Sequence, residues 1–242
     1  TTLLVGTVSL AWFVVWQRRH AHPLMDLRVF AYPGFTGSFL MSMVIGAGVF
    51  ASTSVTPLSF QQVLGESAAS AGLMLMPAGL AMAFTFPVAG HLTDRFSETR
   101  IMIIGLLLFV LNMALMAGAT LATSAVWLVW WTLLGRGGLG LMMPPSSTGA
   151  LGLLPPALIP QGSGIFNFAR QIGGALGVNL CALCIQFFSD RYGQTDPALS
   201  LAEAFEFGFD RAFWLLLIVF LLSLWPLHAM RQGLIKRHCY DG

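Results

Sequence analysis

A bundle of membrane-spanning α-helices is the fold class this chain predicts, on three observations. Apolar residues make up 56% of its 242 residues and charged residues only 9%, whereas a soluble domain carries about 25% charged residues. Six apolar stretches reach about 20 residues or more, the length a helix needs to cross a bilayer. Inside those stretches charge is nearly absent, with Arg136 and Arg170 as the exceptions. In lipid a helix satisfies its backbone hydrogen bonds within one segment, so the expected fold is all-α and polytopic.

In chain order the apolar segments are 1–16, 35–60, 70–92, 101–121, 124–149, 163–188 and 211–230. The first is short, starts abruptly and lacks an initiator Met, so it is expected to be the end of a truncated transmembrane helix and the chain a fragment. The layout is then a helix end at 1–16, a linker at 17–34, a six-helix bundle at 35–230 and a tail at 231–242. No secretory signal is visible, because the first apolar run has neither a basic lead nor a small-residue cleavage site.

Orientation follows from Lys and Arg. Under strict alternation Arg18, Arg19, Arg28, Arg95, Arg100, Arg231, Lys236 and Arg237 share one side, while the other holds only Arg191 and Arg211. By the positive-inside rule the Arg95 loop and the C-terminus are cytoplasmic. The net charge of +2 adds little. Cys181, Cys184 and Cys239 form no convincing disulfide or metal pattern; the CxxC lies inside an apolar helix and is expected to pack there. No enzyme constellation and no nucleic-acid signal is present, and no cofactor or metal is expected.

Several residues within the spans carry chemistry or shape. Arg136 falls twelve residues into the segment 124–149, roughly 18 Å into a layer about 30 Å thick. Burial there costs about 2.5–3.5 kcal/mol on insertion scales, so such an arginine normally faces a protein interior or a wet cavity. Its candidate roles are holding an anionic group, answering a carboxylate on another bundle, or bonding backbone carbonyls. Pro144 and Pro145, after Gly137, Gly138 and Gly140, are expected to loosen the hydrogen bonding of that segment. Ala169, Gly173 and Gly177, with Gly174 alongside, form a small-residue face that allows close helix approach. In the segment 35–60, Phe39, Met43, Gly46, Phe50, Ser54 and Pro57 recur at helical spacing; such a stripe suits lipid, a core or a greasy substrate.

Three local motifs narrow the family. The loop Gly90-His91-Leu92-Thr93-Asp94-Arg95-Phe96-Ser97-Glu98-Thr99-Arg100 resembles the G-x-L-x-D-R-x-x-x-x-R loop of the major facilitator superfamily. His22-Pro23-Leu24-Met25-Asp26-Leu27-Arg28-Val29-Phe30 resembles the stretch before the second half of fourteen-helix drug:proton antiporters of the EmrB/QacA type. Leu154-Pro155-Pro156, followed by Asn167, Arg170, Gly173 and Gly177 in one helix, is similar to the L-P-P loop and N-x-x-R-x-x-G-x-x-x-G helix of those antiporters.

The resemblance implies the C-terminal half of such a transporter: the end of an inserted helix and then a six-helix bundle built of two inverted three-helix repeats, with the pathway between bundles. It implies proton-coupled, alternating-access export of amphipathic or cationic drugs from a bacterial inner membrane. The implied partners are that substrate, protons, the lipid bilayer and the missing N-terminal half, with room for a periplasmic adaptor and an outer-membrane channel. Arg136, Met43, Phe50 and Ser54 are then pathway candidates. Gly90, Asp94 and Arg95 are latch candidates, Asp94 favouring the head of the next helix or pairing with a neighbouring arginine. Asn167 and Arg170 are candidates for a cytoplasmic gate, with snorkelling to the interface as the other reading of Arg170. Export of a dedicated metabolite, such as a siderophore or antibiotic, and a non-transporting membrane scaffold are the alternatives.

Overall fold

The computed structural model describes residues 26–195 and 200–241, together with Gly6, Val8, Ser9 and Trp12. The helix end expected at 1–16, apart from those four residues, and residues 17–25 of the linker expected at 17–34, with Arg18, Arg19 and His22, therefore lie outside the described residues. A 3-10 turn, Leu27–Ala31, leads into α1 (Phe35–Gln62), α2 (Ala68–Thr93), α3 (Glu98–Ala117) and α4 (Ala125–Gly152). A second such turn, Pro156–Leu158, precedes α5 (Ile159–Thr195), and α6 (Leu201–Leu222) and α7 (Leu224–Asp241) complete the chain. There is no strand among the described residues. Six stretches are long and apolar enough to cross a membrane, the last being Leu201–Lys236, which joins α6 to α7. The protein is an all-α, multi-pass membrane protein.

Helix ends differ from the apolar segments where chemistry other than hydropathy sets them. The last span was expected at 211–230, but α6 starts at Leu201, where Ser200 and Glu203 form a reciprocal capping box. This places Glu203, Glu206 and Asp210 on a helix rather than in a loop. In the same way α5 runs past residue 188 and carries Asp190. At the far end Pro226 has no N–H for the carbonyl of Leu222; the helix breaks at Ser223, whose buried hydroxyl donates to the carbonyl of Phe220 (2.6 Å). The expected tail at 231–242 is thus the continuation of α7. Pro144 and Pro145 do not end α4; the hydroxyls of Ser146, Ser147 and Thr148 donate to carbonyls of the proline turn.

Short turns alternate the helix directions. Arg95, Arg100 and Arg231 come together at one end, the basic end, and Glu203, Glu206 and Asp210 gather beside the α3–α4 turn at the other, the acidic end. The core is dry, built on Met41, Ile45, Phe60, Met102, Leu106, Phe109, Leu139, Met142 and Phe220, with Phe109 and Phe220 4.2 Å apart. Glycines let backbones meet around it. A Cβ on Gly138 would lie 2.6 Å from the carbonyl oxygen of Gly105, and one on Gly140 would strike Thr85. The α4 glycines that precede the proline pair are therefore contact points with α3 and α2. Asn112, buried on α3, donates to the carbonyl of Trp131 (2.6 Å) and sits over Gly135.

Candidate functional site

One polar feature within the spans lies where α1 meets α4. Arg136 is half-buried and donates from Nη1 to Oγ1 of Thr53 (2.9 Å), which itself donates one turn back to the carbonyl of Val49. Among the described residues no carboxylate lies within ion-pair distance of it, since the ion pairs are Asp26 with Arg28 and Asp210 with Arg211. A guanidinium has five N–H donors, so one threonine leaves most of its bonding capacity open. Next to Thr53, Ser54 is exposed, and Phe50 is 41% exposed with its ring over Gly174. Met43 plays a different part. Its main chain abuts Gly173, which puts it in the seam between α1 and α5, with a half-buried side chain.

That seam is close because glycine lines it from both sides. A Cβ on Gly46 would strike the carbonyl of Arg170, one on Gly173 that of Met43, and one on Gly177 would come 2.7 Å from the Cα of Ala47. The hydroxyl of Ser42 donates to the carbonyl of Phe166 across it (2.7 Å), in a buried site. The pairs advance together along both chains, so α1 and α5 run parallel.

On its outer side α5 carries Asn167, Gln171, Asn179 and Gln186, all exposed within this chain. The amide of Asn179 donates to the carbonyl of Ala175 (2.7 Å). Toward the basic end Arg170 donates from Nη2 to Oδ1 of Asn167 (2.6 Å), whose amide reaches the carbonyl of Ser163. Amide side chains on the outer face of a membrane helix normally meet protein or water. Thr53 and the stripe Gln171, Asn179, Gln186 were not singled out from sequence, although the spacing of Asn167, Gln171 and Asn179 by four and then eight residues was legible there.

The basic-end loop is arranged differently from the expectation. Asp94 closes α2, is exposed, and among the described residues makes neither an ion pair nor a bond to the head of α3, where Ser97 is the N-cap. Gly90 has open space where a Cβ would stand. Arg95 is exposed beside it. The loop is short and exposed, and among the described residues nothing in this bundle draws Asp94 inward.

The linker turn, by contrast, is docked. Asp26 accepts from the main-chain N–H of Arg28 (3.0 Å) and from its guanidinium (2.7 Å at the closest), and these bonds hold its carboxyl below the usual carboxylate range. Val29 is buried with Phe35, Leu154 and Ile165, and Phe30 stands edge-on to Phe35 and Phe39. Cys181 is buried and Cys184 half-buried, both as free thiols.

Comparison with known proteins agrees with this architecture. Residues 2–178 match the family model described as Major Facilitator Superfamily. The chain is 31% identical over 180 residues to the uncharacterized MFS-type transporter YhcA of Bacillus subtilis, covering 74% of this chain and 34% of that protein. It is 28% identical over 226 residues to the lincomycin resistance protein LmrB of Listeria monocytogenes, covering 92% and 48%. To the multidrug resistance protein B homolog of Mycobacterium tuberculosis it is 29% identical over 190 residues, covering 76% and 35%. The chain thus spans half or less of the length of these relatives. With six spanning helices in the expected order and a family model matched across most of its length, this chain belongs to the Major Facilitator Superfamily.

Proposed function

We propose that the chain is the C-terminal six-helix bundle of a proton-coupled exporter of drugs or other small amphipathic molecules, of the fourteen-helix EmrB/QacA type. Relatives named for lincomycin and multidrug resistance support the substrate class. The gathering of Arg95, Arg100 and Arg231 at one end supports a bacterial inner-membrane protein with its C-terminus in the cytoplasm.

The observation that carries the reading is Arg136: a guanidinium near the middle of a spanning helix, bonded to Thr53, with no carboxylate partner among the described residues. It cannot itself release a proton, because arginine stays charged in proteins. It supplies instead a fixed positive charge that a carboxylate of the other bundle, or an anionic group of the cargo, answers in one of the alternating states. Thr53, Ser54 and Phe50 and the amides of α5 form the wall around it. Asn167 with Arg170 gates the cytoplasmic end, and the Gly90–Asp94–Arg95 loop, unpartnered in this bundle, latches against the other one.

The test uses the full-length protein in cells stripped of their own exporters, loaded with a fluorescent cation. Efflux that collapses on adding a protonophore, and that falls at least tenfold in Arg136→Ala with expression intact, is expected. Parental efflux in Arg136→Ala contradicts the assignment.

A further inference from the structure

A groove of about 810 Å3 opens at the basic end between the α2–α3 turn and α7. Three guanidiniums line it, those of Arg95, Arg100 and Arg231, with the carboxylates of Asp94 and Glu98. All three arginines are exposed, and among the described residues none of these five side chains is engaged in an ion pair or hydrogen bond. Three positive against two negative groups leave one positive charge over. The head of α3 opens on the same groove; its N-cap Ser97 makes no side-chain capping bond, so the positive end of a 20-residue helix adds to the field.

The wall turns apolar toward the membrane at Ile103, one turn into α3 from Arg100, and Leu234 and Ile235 of α7 add apolar surface beyond Arg231. Arg95 and Phe96 also bound a second groove, of about 540 Å3, which runs along Pro87, Val88 and Leu92 and is almost wholly apolar. A free anion needs only the basic groove. A charged pocket that shares its rim with an apolar trough, at the depth where spanning helices end, matches a molecule with a phosphate head and an acyl tail.

We infer that these two grooves bind an anionic phospholipid, its phosphate held by Arg95, Arg100 and Arg231 at the head of α3 and an acyl chain laid along Pro87, Val88 and Leu92. The single surplus positive charge fits a headgroup with one negative charge. Occupancy ties the α2–α3 turn to α7, two segments with no salt bridge of their own among the described residues. Arg95 belongs to the loop proposed above as a latch, so lipid and the other bundle compete for it; the inference is independent of which face of the membrane this end occupies.

The experiment takes the protein in its full natural length, purified in detergent. Phosphatidylglycerol, phosphatidylcholine and inorganic phosphate are titrated separately, and bound species are read by native mass spectrometry. Phosphatidylglycerol is expected to bind more tightly than phosphatidylcholine, and Arg100→Gln with Arg231→Gln to weaken it about tenfold, from two lost charge contacts near a surface. Lys236→Gln, on α7 outside the groove, should change it less than twofold. The paired Arg→Lys variants, with matching melting temperatures, separate lost charge from lost folding. Equal binding of the two lipids, or unchanged phosphatidylglycerol binding in the Arg→Gln pair, overturns the site. Phosphate that binds by itself and displaces the lipid at millimolar concentration overturns the lipid as ligand and leaves a free-anion pocket.

Discussion

Two parallel helix pairs, α1 with α5 and α4 with α2, exchange places when the first three helices of the bundle are swapped for the last three, yet they show opposite chemistry to their surroundings. In the first pair α5 buries Gly173, Gly174 and Gly177 against α1 and turns Asn167, Gln171, Asn179 and Gln186 outward. In the second, α4 supplies the close contact, Gly140 against Thr85, while α2 has open space at its own Gly72, Gly79 and Gly90. The outer face of α2 is apolar: Leu73, Met76, Leu80 and Phe84 are 70%, 58%, 51% and 71% exposed. In each pair small residues at the contact set the packing, while the side chains on the free face set its polarity. Arg136 and Thr53 stand on the two helices, α4 and α1, that hold these pairs together.

The largest way to break the comparison is steric. Gly173→Leu and Gly46→Leu force apart main chains in contact and should cost 1–3 kcal/mol or more, seen as lost monodisperse protein. Gly79→Leu, with nothing within 4 Å of its Cβ position, should leave folding intact. Similar losses at all three positions would mean that the seam between α1 and α5 is not special.

Next in size is the hydrogen bond at the centre. Thr53→Val removes the one side-chain partner that Arg136 has among the described residues; hydrogen bonds to charged groups contribute about 1.5–3 kcal/mol. Transport should fall several-fold in Thr53→Val, and by less than in Arg136→Ala. Thr53→Ser, which keeps the hydroxyl, should recover most of it. A smaller effect is expected on the free faces: Asn179→Leu should lower transport about two- to fivefold, for a lost polar contact of about 0.5–1 kcal/mol, and Leu80→Ala should not.

The smallest effect is at the linker turn. Bonds from Arg28 lower the carboxyl of Asp26 below its ordinary value of 3.8. A lowered folded-state value gives stability that is present above about pH 4 and fades as pH falls through that lower value. Asp26→Asn should therefore lower the melting temperature slightly at pH 7 and by less at pH 3. An equal shift at both pH values would mean that the contact acts by shape instead of charge.

Much of this was readable in the sequence because hydropathy and small-residue spacing act locally. The six spans follow from runs such as Ile101 to Ala117, and the seam from the spacing of Gly173 and Gly177. Helix ends at the water boundary were not readable from hydropathy: α6 starts at a capping box among acidic residues, and α7 begins where Pro226 breaks the ladder. Contacts between segments distant in the chain were out of reach as well. Nothing near Arg136 in the sequence points to Thr53, and nothing near Asp94 shows that it lacks a partner in this bundle.

The central claim is that Arg136 stands on a wet face and the outer side of α2 on a dry one. It is tested most directly by thiol labelling of the full-length protein in intact cells, with Cys181, Cys184 and Cys239 replaced by alanine. Single cysteines are placed at Arg136, at Asn179 and at Phe84, and their rates with a small charged aqueous thiol reagent are compared. Arg136→Cys and Asn179→Cys should react at least tenfold faster than Phe84→Cys. An inert cysteine at position 136, in a protein that inserts and exports like its parent, would contradict the account.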